Sequence, residues 1–197
     1  PTYRLMTRSP RAGLRLLQAL LLAAPLAAPL AAQELPGPSA APEAVVAVGQ
    51  ARFTVLTDRM IRMEWAADGR FEDRGTLVAV RRRLPVPSFR VAREGGWTAV
   101  ETGALTLRYR DASGRFTPEN LEVRVTTGGV DALWRPGLAA AGNLGATIRT
   151  LDGVKGRVPL GGGLVSRDGW ALVDDSGSPL LAGDPAWVEP RPAGERQ

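Results

Sequence analysis

Carboxylates, hydroxyls and guanidinium groups are the side chains left to do chemistry in this chain of 197 residues. It contains no Cys and no His, so thiol nucleophiles, Ser-His-Asp triads, Cys or His zinc sites and disulfides are excluded. Its basic side chains are 24 Arg and one lysine, Lys155. Any catalytic or binding site must therefore be built from carboxylates, hydroxyls, arginines and the five Trp.

Paired acids could hydrolyse a glycoside, a reaction that needs two carboxyls facing each other across a sugar. Asp174 and Asp175 are adjacent, and neighbours in a strand point to opposite faces. The pair therefore predicts a turn in which one Asp accepts backbone N–H bonds. The pairs Asp68 with Asp73 and Asp152 with Asp168 lack the ligand spacing of an EF-hand loop, so no metal site is predicted.

Glycine-rich stretches do not indicate a nucleotide cofactor. Gly142 and Gly145 are followed by residues 147–150, which predict a strand, whereas a Rossmann fingerprint requires a helix there. Residues 161–163 are three glycines with no Lys-Ser or Lys-Thr after them, so they are not a P-loop. No cofactor is predicted.

Arg149 and Asp152 are the candidate substrate-binding residues. They lie in a glycine-rich loop directly after the predicted strand, and loops on a rigid sheet display binding groups. Asp and Arg hydrogen-bond sugar hydroxyls beside stacked aromatic rings, and Trp170 and Trp187 are close in sequence. An internal Arg–Asp ion pair that fixes the loop is an equally good interpretation.

The charge balance excludes nucleic acid as a partner. The formal net charge is +5, but residues 1–32 contain four Arg and no acid, which leaves 21 basic against 20 acidic groups. Such a balance provides no excess charge for binding phosphates. The basic run 81–83 predicts a solvated strand edge that blocks edge-to-edge pairing.

Residues 1–32 predict a secretory signal peptide that begins at Met6. Four arginines precede the uncharged apolar run 19–32, which small residues end. The run is shorter than the roughly 20 residues that cross a bilayer, and prolines interrupt it. We therefore expect a secreted or periplasmic protein without a membrane segment after cleavage. Residues 33–44, rich in Pro and Ala, predict an extended linker.

The elements that position these residues are short strands. Apolar and charged residues alternate over 61–65, 105–110 and 121–125, and Gly- and Asp-rich turns separate the runs. A further strand is predicted at 169–173. This pattern predicts an all-β, antiparallel β-sandwich. The candidate core residues are Phe53, Val55, Ile61, Met63, Trp65, Leu105, Leu107, Tyr109, Leu121, Val123, Val125, Leu172 and Val173.

Six segments carry a family resemblance: 53–64 (FTVLTDRMIRME), 71–74 (FEDR), 83–87 (RLPVP), 142–153 (GNLGATIRTLDG), 163–170 (GLVSRDGW) and 174–176 (DDS). In order and spacing they resemble the N-terminal domain of glycoside hydrolase family 31, the α-glucosidase and α-xylosidase family, over residues 45–190. The resemblance implies a galactose-mutarotase-like sandwich. It also implies that residues 191–197 begin a connection to a catalytic (β/α)8 barrel, which carries both catalytic Asp residues and retains configuration.

The resemblance therefore implies a domain that is inactive alone. It would pack on the barrel of the same protein and help shape a pocket for a carbohydrate substrate, with Arg149 and Asp152 in the contributing loop. A free-standing carbohydrate-binding sandwich that uses exposed Trp is the alternative function. A purely structural module without a ligand is a third.

Overall fold

The computed structural model describes residues 37–146, 153–158, 160–181 and 188–191, all within the unit Leu35–Gln197. These residues form ten strands: β1 Val45–Val48, β2 Ala51–Thr57, β3 Met60–Trp65, β4 Arg90–Glu94, β5 Trp97–Glu101, β6 Leu105–Arg110, β7 Leu121–Thr127, β8 Val130–Trp134, β9 Leu180–Leu181 and β10 Val188–Glu189. A 3-10 turn, Pro42–Ala44, is the single helical element in the described ranges. No helix there has the length and apolarity to cross a membrane.

Strands β4 to β8 form one antiparallel sheet in chain order. Alternation places Leu105, Leu107 and Tyr109 of β6 on the buried face and the residues between them on the other. Gly95 and Gly96 close the β4–β5 hairpin with φ of +59° and +77°, a region that is open to glycine at no steric cost.

A second antiparallel sheet has the order β1–β2–β3. Its register pairs Phe53 of β2 with Val46 of β1 and with Met63 of β3. The short strands β9 and β10 pair separately, and Leu180 forms an isolated bridge with Thr76.

The two sheets pack face to face around one apolar core. Phe53 of the three-stranded sheet contacts Tyr109 of the five-stranded sheet, with ring centroids 5.5 Å apart in an edge-to-face arrangement. Phe116 lies against both rings, at 5.9 Å and 5.5 Å. Burying a side chain such as Phe53 contributes about 2–3 kcal/mol, and an edge-to-face pair adds about 1 kcal/mol. The predicted all-β antiparallel sandwich is confirmed.

The predicted strand at 169–173 is wrong. Trp170 contacts the core and packs on Trp134, with ring centroids 6.4 Å apart, but the segment has no strand partner. Leu172 and Val173 are 48% and 41% exposed, so they are not core residues. A short apolar run resembles a strand only locally, and no neighbouring strand is available to pair with it.

The charged face of β3 is not solvated, and the predicted solvated edge at 81–83 is wrong at its centre. Irregular chain covers the outer face of the three-stranded sheet, so that Glu64 is 7% exposed. Arg82 lies in coil and is 3% exposed, whereas Arg81 and Arg83 are exposed. Arg82 is buried because its guanidinium donates to the carbonyls of Glu72 (2.9 Å) and Arg74 (2.7 Å).

Candidate functional site

Both predicted substrate-binding residues, Arg149 and Asp152, lie outside the described residues. The two flanks of their loop are described, and they pair with each other. Ala146 and Gly161 exchange two backbone hydrogen bonds of 2.9 Å and 2.8 Å. Leu144 N donates to Val165 O, also at 2.9 Å. The chain segment that contains Arg149 and Asp152 therefore begins and ends at two flanks that are hydrogen-bonded to each other, which we call the paired base of the loop.

Asn143 joins the two flanks through its side chain. Its Oδ1 accepts from the backbone N–H groups of Gly145 (2.9 Å) and Gly163 (2.8 Å), and its Nδ2 donates to Gly163 O (2.8 Å). Asp168 Oδ2 accepts from Gly142 N at 2.8 Å. These four bonds satisfy backbone groups that have no regular strand partner, which is why an irregular glycine-rich segment holds a defined shape here.

Close backbone approach explains Gly163, because a Cβ there would lie 2.8 Å from Gly145 O, so the position requires glycine. A Cβ on Gly142 would lie 2.5 Å from the Asp168 carboxylate. That carboxylate ends a side chain that can move aside, at the loss of its bond to Gly142 N. The sequence pattern showed these glycines but not the role of Asn143.

Aliphatic side chains surround this base and stay exposed. Leu144 and Leu160 are 51% and 54% exposed, and Leu164 and Val165 are 76% and 64% exposed. We call these four residues the aliphatic rim. They are neighbours in sequence of the residues that form the paired base, and contiguous exposed apolar patches are a common feature of interaction surfaces.

The adjacent acids Asp174 and Asp175 form the turn predicted from the sequence. Asp174 Oδ1 accepts from Ser176 N at 2.9 Å. Hydrogen bonds from the Ser176 side chain and from this backbone N–H lower the pKa of Asp174. Asp175 instead accepts from Arg62 Nη1 (3.1 Å) and Thr76 Oγ1 (2.9 Å). The two carboxyls thus serve structure and do not face each other across a gap.

Asp175 belongs to a charge network on the outer face of the three-stranded sheet. Glu64 accepts from Arg52 Nε at 2.9 Å and from Arg62 Nη2 at 3.1 Å. Arg52 Nη1 also donates to Asp73 at 2.7 Å. Burial works against the charged form of Arg52, but the hydrogen bonds to Glu64 and Asp73 outweigh it and raise its pKa.

The same network extends to Arg82, Glu72 and Arg74, for which the sequence predicted no part in a buried charge network. Burial, together with the nearby charge of Arg62, lowers the pKa of Arg82. Hydrogen bonds from Arg74 lower the pKa of Glu72 to about 2. Alternating Arg and Glu along β3 was the available signal, but sequence alone does not show that irregular chain covers them.

The described part of the chain contains no cluster of metal-binding side chains. No group of three or more acidic side chains gathers there in a way that could hold an ion. Asp73 instead pairs with Arg52, and Asp168 binds Gly142 N. Asp152 lies outside the described residues.

No protein-family model matches the chain, and no curated protein matches it either.

Proposed function

We propose that this chain is the N-terminal, non-catalytic domain of a secreted retaining α-glycosidase that hydrolyses α-glycosidic bonds in carbohydrates. In this role the sandwich supports a catalytic barrel and contributes one loop to the sugar pocket. The proposal begins from the resemblance to glycoside hydrolase family 31.

The aliphatic rim carries the proposal. Leu144, Leu160, Leu164 and Val165 are all more than half exposed, and they lie at the paired base of the loop that holds Arg149 and Asp152. A barrel packed on the rim would cover this apolar surface. The same contact would bring the loop to the mouth of the barrel, where such enzymes bind substrate.

The division of chemical labour follows from the residue types. The barrel would supply the Asp nucleophile and the Asp general acid of a retaining mechanism. Arg149 and Asp152 would donate and accept hydrogen bonds at sugar hydroxyls and so orient the substrate. Binding contacts of this kind raise kcat/KM without moving a proton.

The source DNA beyond codon 197 provides the first test. We expect the reading frame to continue for several hundred codons and to encode a barrel with Asp at two strand ends. A stop codon directly after codon 197 would overturn the proposal and favour the free-standing sugar-binding module. Of the two Trp first considered for that module, Trp170 packs on Trp134 and Trp187 lies outside the described residues.

Activity assays provide the second test. The chain alone should not hydrolyse p-nitrophenyl α-glucoside or α-xyloside, whereas the extended protein should hydrolyse at least one. In the extended protein, Asp152→Asn should raise KM about tenfold or more with a smaller change in kcat. Robust turnover by the chain alone would contradict the proposed role.

A further inference from the structure

We propose that the chain carries a carbohydrate-binding site of its own, formed by the ring of Trp97 and the polar cavity beside it, and that the ligand is a neutral oligosaccharide. The site is built from β5, β6 and the loop 111–120. It shares no residue with the glycine-rich loop, so it stands independently of the proposed glycosidase role.

Trp97 lies on the outer face of the five-stranded sheet. Thr98 and Val100 of the same strand are fully buried, so alternation directs Trp97 and Ala99 outward. Trp97 is half-buried, and the guanidinium carbon of Arg108 lies 5.2 Å from its ring centroid. An indole ring beside hydrogen-bond donors offers a sugar both an apolar surface and partners for its hydroxyls.

An open cavity of about 430 Å³ lies at the end of β6, where the loop 111–120 begins. The polar residues that line it are Arg110, Asp111, Ser113, Thr117, Glu119 and Asn120. Arg110 is the register partner of Trp97, and Asp111 N donates to Gly96 O at 2.9 Å. The cavity and the ring are therefore neighbours, and one saccharide unit could occupy each.

The cavity wall is held in place before any ligand arrives. Asn120 is 5% exposed, accepts from Thr117 N (2.7 Å) and donates to Arg115 O (2.6 Å). Tyr109 OH donates to Gly114 O at 2.6 Å. A wall fixed by such bonds loses little conformational entropy on binding, which favours affinity.

The charges on this face favour a neutral ligand. Three ion pairs cross the outer face: Arg90–Glu101 (2.6 Å), Arg108–Glu122 (3.1 Å) and Arg124–Asp131 (2.7 Å). Each of these three guanidinium groups has a carboxylate partner, and the cavity is lined by one arginine, Arg110, against two acids, Asp111 and Glu119. The site therefore has no positive excess that would attract a polyanion. It presents oriented donors and acceptors instead, which suit sugar hydroxyls.

The test is an isothermal calorimetric titration of the full chain with maltoheptaose and, separately, with cellohexaose. We expect at least one to bind saturably, with a Kd of about 10 µM to 1 mM. A heparin hexasaccharide serves as the charged probe and should bind at least tenfold more weakly. Failure of both neutral probes to saturate, or tighter binding of heparin, would overturn the site.

Variants locate the binding. Trp97→Ala and Glu119→Ala should each weaken binding tenfold or more, and circular dichroism checks that they remain folded. Glu119 is exposed, so its variant tests the cavity even if Trp97→Ala fails to fold. Arg124→Ala and Arg149→Ala should bind within threefold of the unmodified chain. Loss in Arg149→Ala alone would assign binding to the glycine-rich loop and contradict the site at Trp97.

Discussion

Gly163 shows how a single residue supports the candidate sugar loop. A Cβ at this position would lie 2.8 Å from Gly145 O and 3.1 Å from Ala146 Cβ, so the two flanks would have to separate. We expect Gly163→Ala to lower the free energy of unfolding by about 1–3 kcal/mol, as overpacking does. Urea unfolding followed by fluorescence measures this change.

Gly162 provides a matched control for that variant. A Cβ there meets no atom within 4 Å, so Gly162→Ala should stay within about 0.5 kcal/mol of the unmodified chain. Equal losses in the two variants would show that backbone flexibility, and not close approach, makes this segment sensitive.

At the same scale of a single residue, we expect the ionisation of Glu72 to make the free energy of unfolding depend on pH. Hydrogen bonds from Arg74 hold the pKa of Glu72 at about 2, below its ordinary value of 4.5. A depressed pKa stabilises the folded state above pH 4.5, and that contribution disappears as the pH falls towards 2. Arg74 is 43% exposed, so solvent screening keeps this contribution small.

Glu72→Gln isolates this effect from other acids. The difference in unfolding free energy between the unmodified chain and Glu72→Gln should be largest near neutral pH and should shrink towards zero near pH 2. Urea unfolding at several pH values measures it. A difference that stays constant over this range would show that the carboxylate charge is not involved.

At the scale of elements, the stability of strands β2 and β3 depends on the buried carboxylate of Glu64. Glu64 is 7% exposed and accepts from both Arg52 and Arg62. We expect Glu64→Gln to cost about 1.5–3 kcal/mol, because two largely buried guanidinium groups lose their shared carboxylate. Each keeps a second carboxylate, Asp73 for Arg52 and Asp175 for Arg62, so neither charge is left uncompensated. Thermal and urea unfolding both test this.

The exposed ion pair Arg124–Asp131, on β7 and β8, is the control for the Glu64→Gln variant. Its side chains are 52% and 71% exposed, so Asp131→Asn should change stability by less than about 0.5 kcal/mol. If both variants cost little, the network on the outer face of β2 and β3 would be solvated in solution. The alternating pattern predicted β3 correctly, but it could not show that the charged face of this strand would be covered.

At the scale of the molecule, the two sheets should unfold together, because both share the core around Phe53 and Tyr109. Phe53→Ala should lower the free energy of unfolding by about 3–5 kcal/mol. It should also shift the single unfolding transition of both sheets to lower denaturant concentration. Val91, at 37% exposure on edge strand β4, is the control, and Val91→Ala should cost less than about 1 kcal/mol. Two separate transitions by fluorescence and circular dichroism would contradict a shared core.

Local pattern by itself predicted three of the strands, β3, β6 and β7, and the class of fold. Alternation along β3, β6 and β7 and the glycine turns depend on neighbours in sequence, so they could be predicted without coordinates. Tertiary structure alone decided that Leu172 and Val173 are exposed, that Arg82 is buried, and that Asn143 joins two distant flanks. These outcomes depend on which segments meet across the fold, because burial and side-chain pairing are set by partners that a local pattern does not contain.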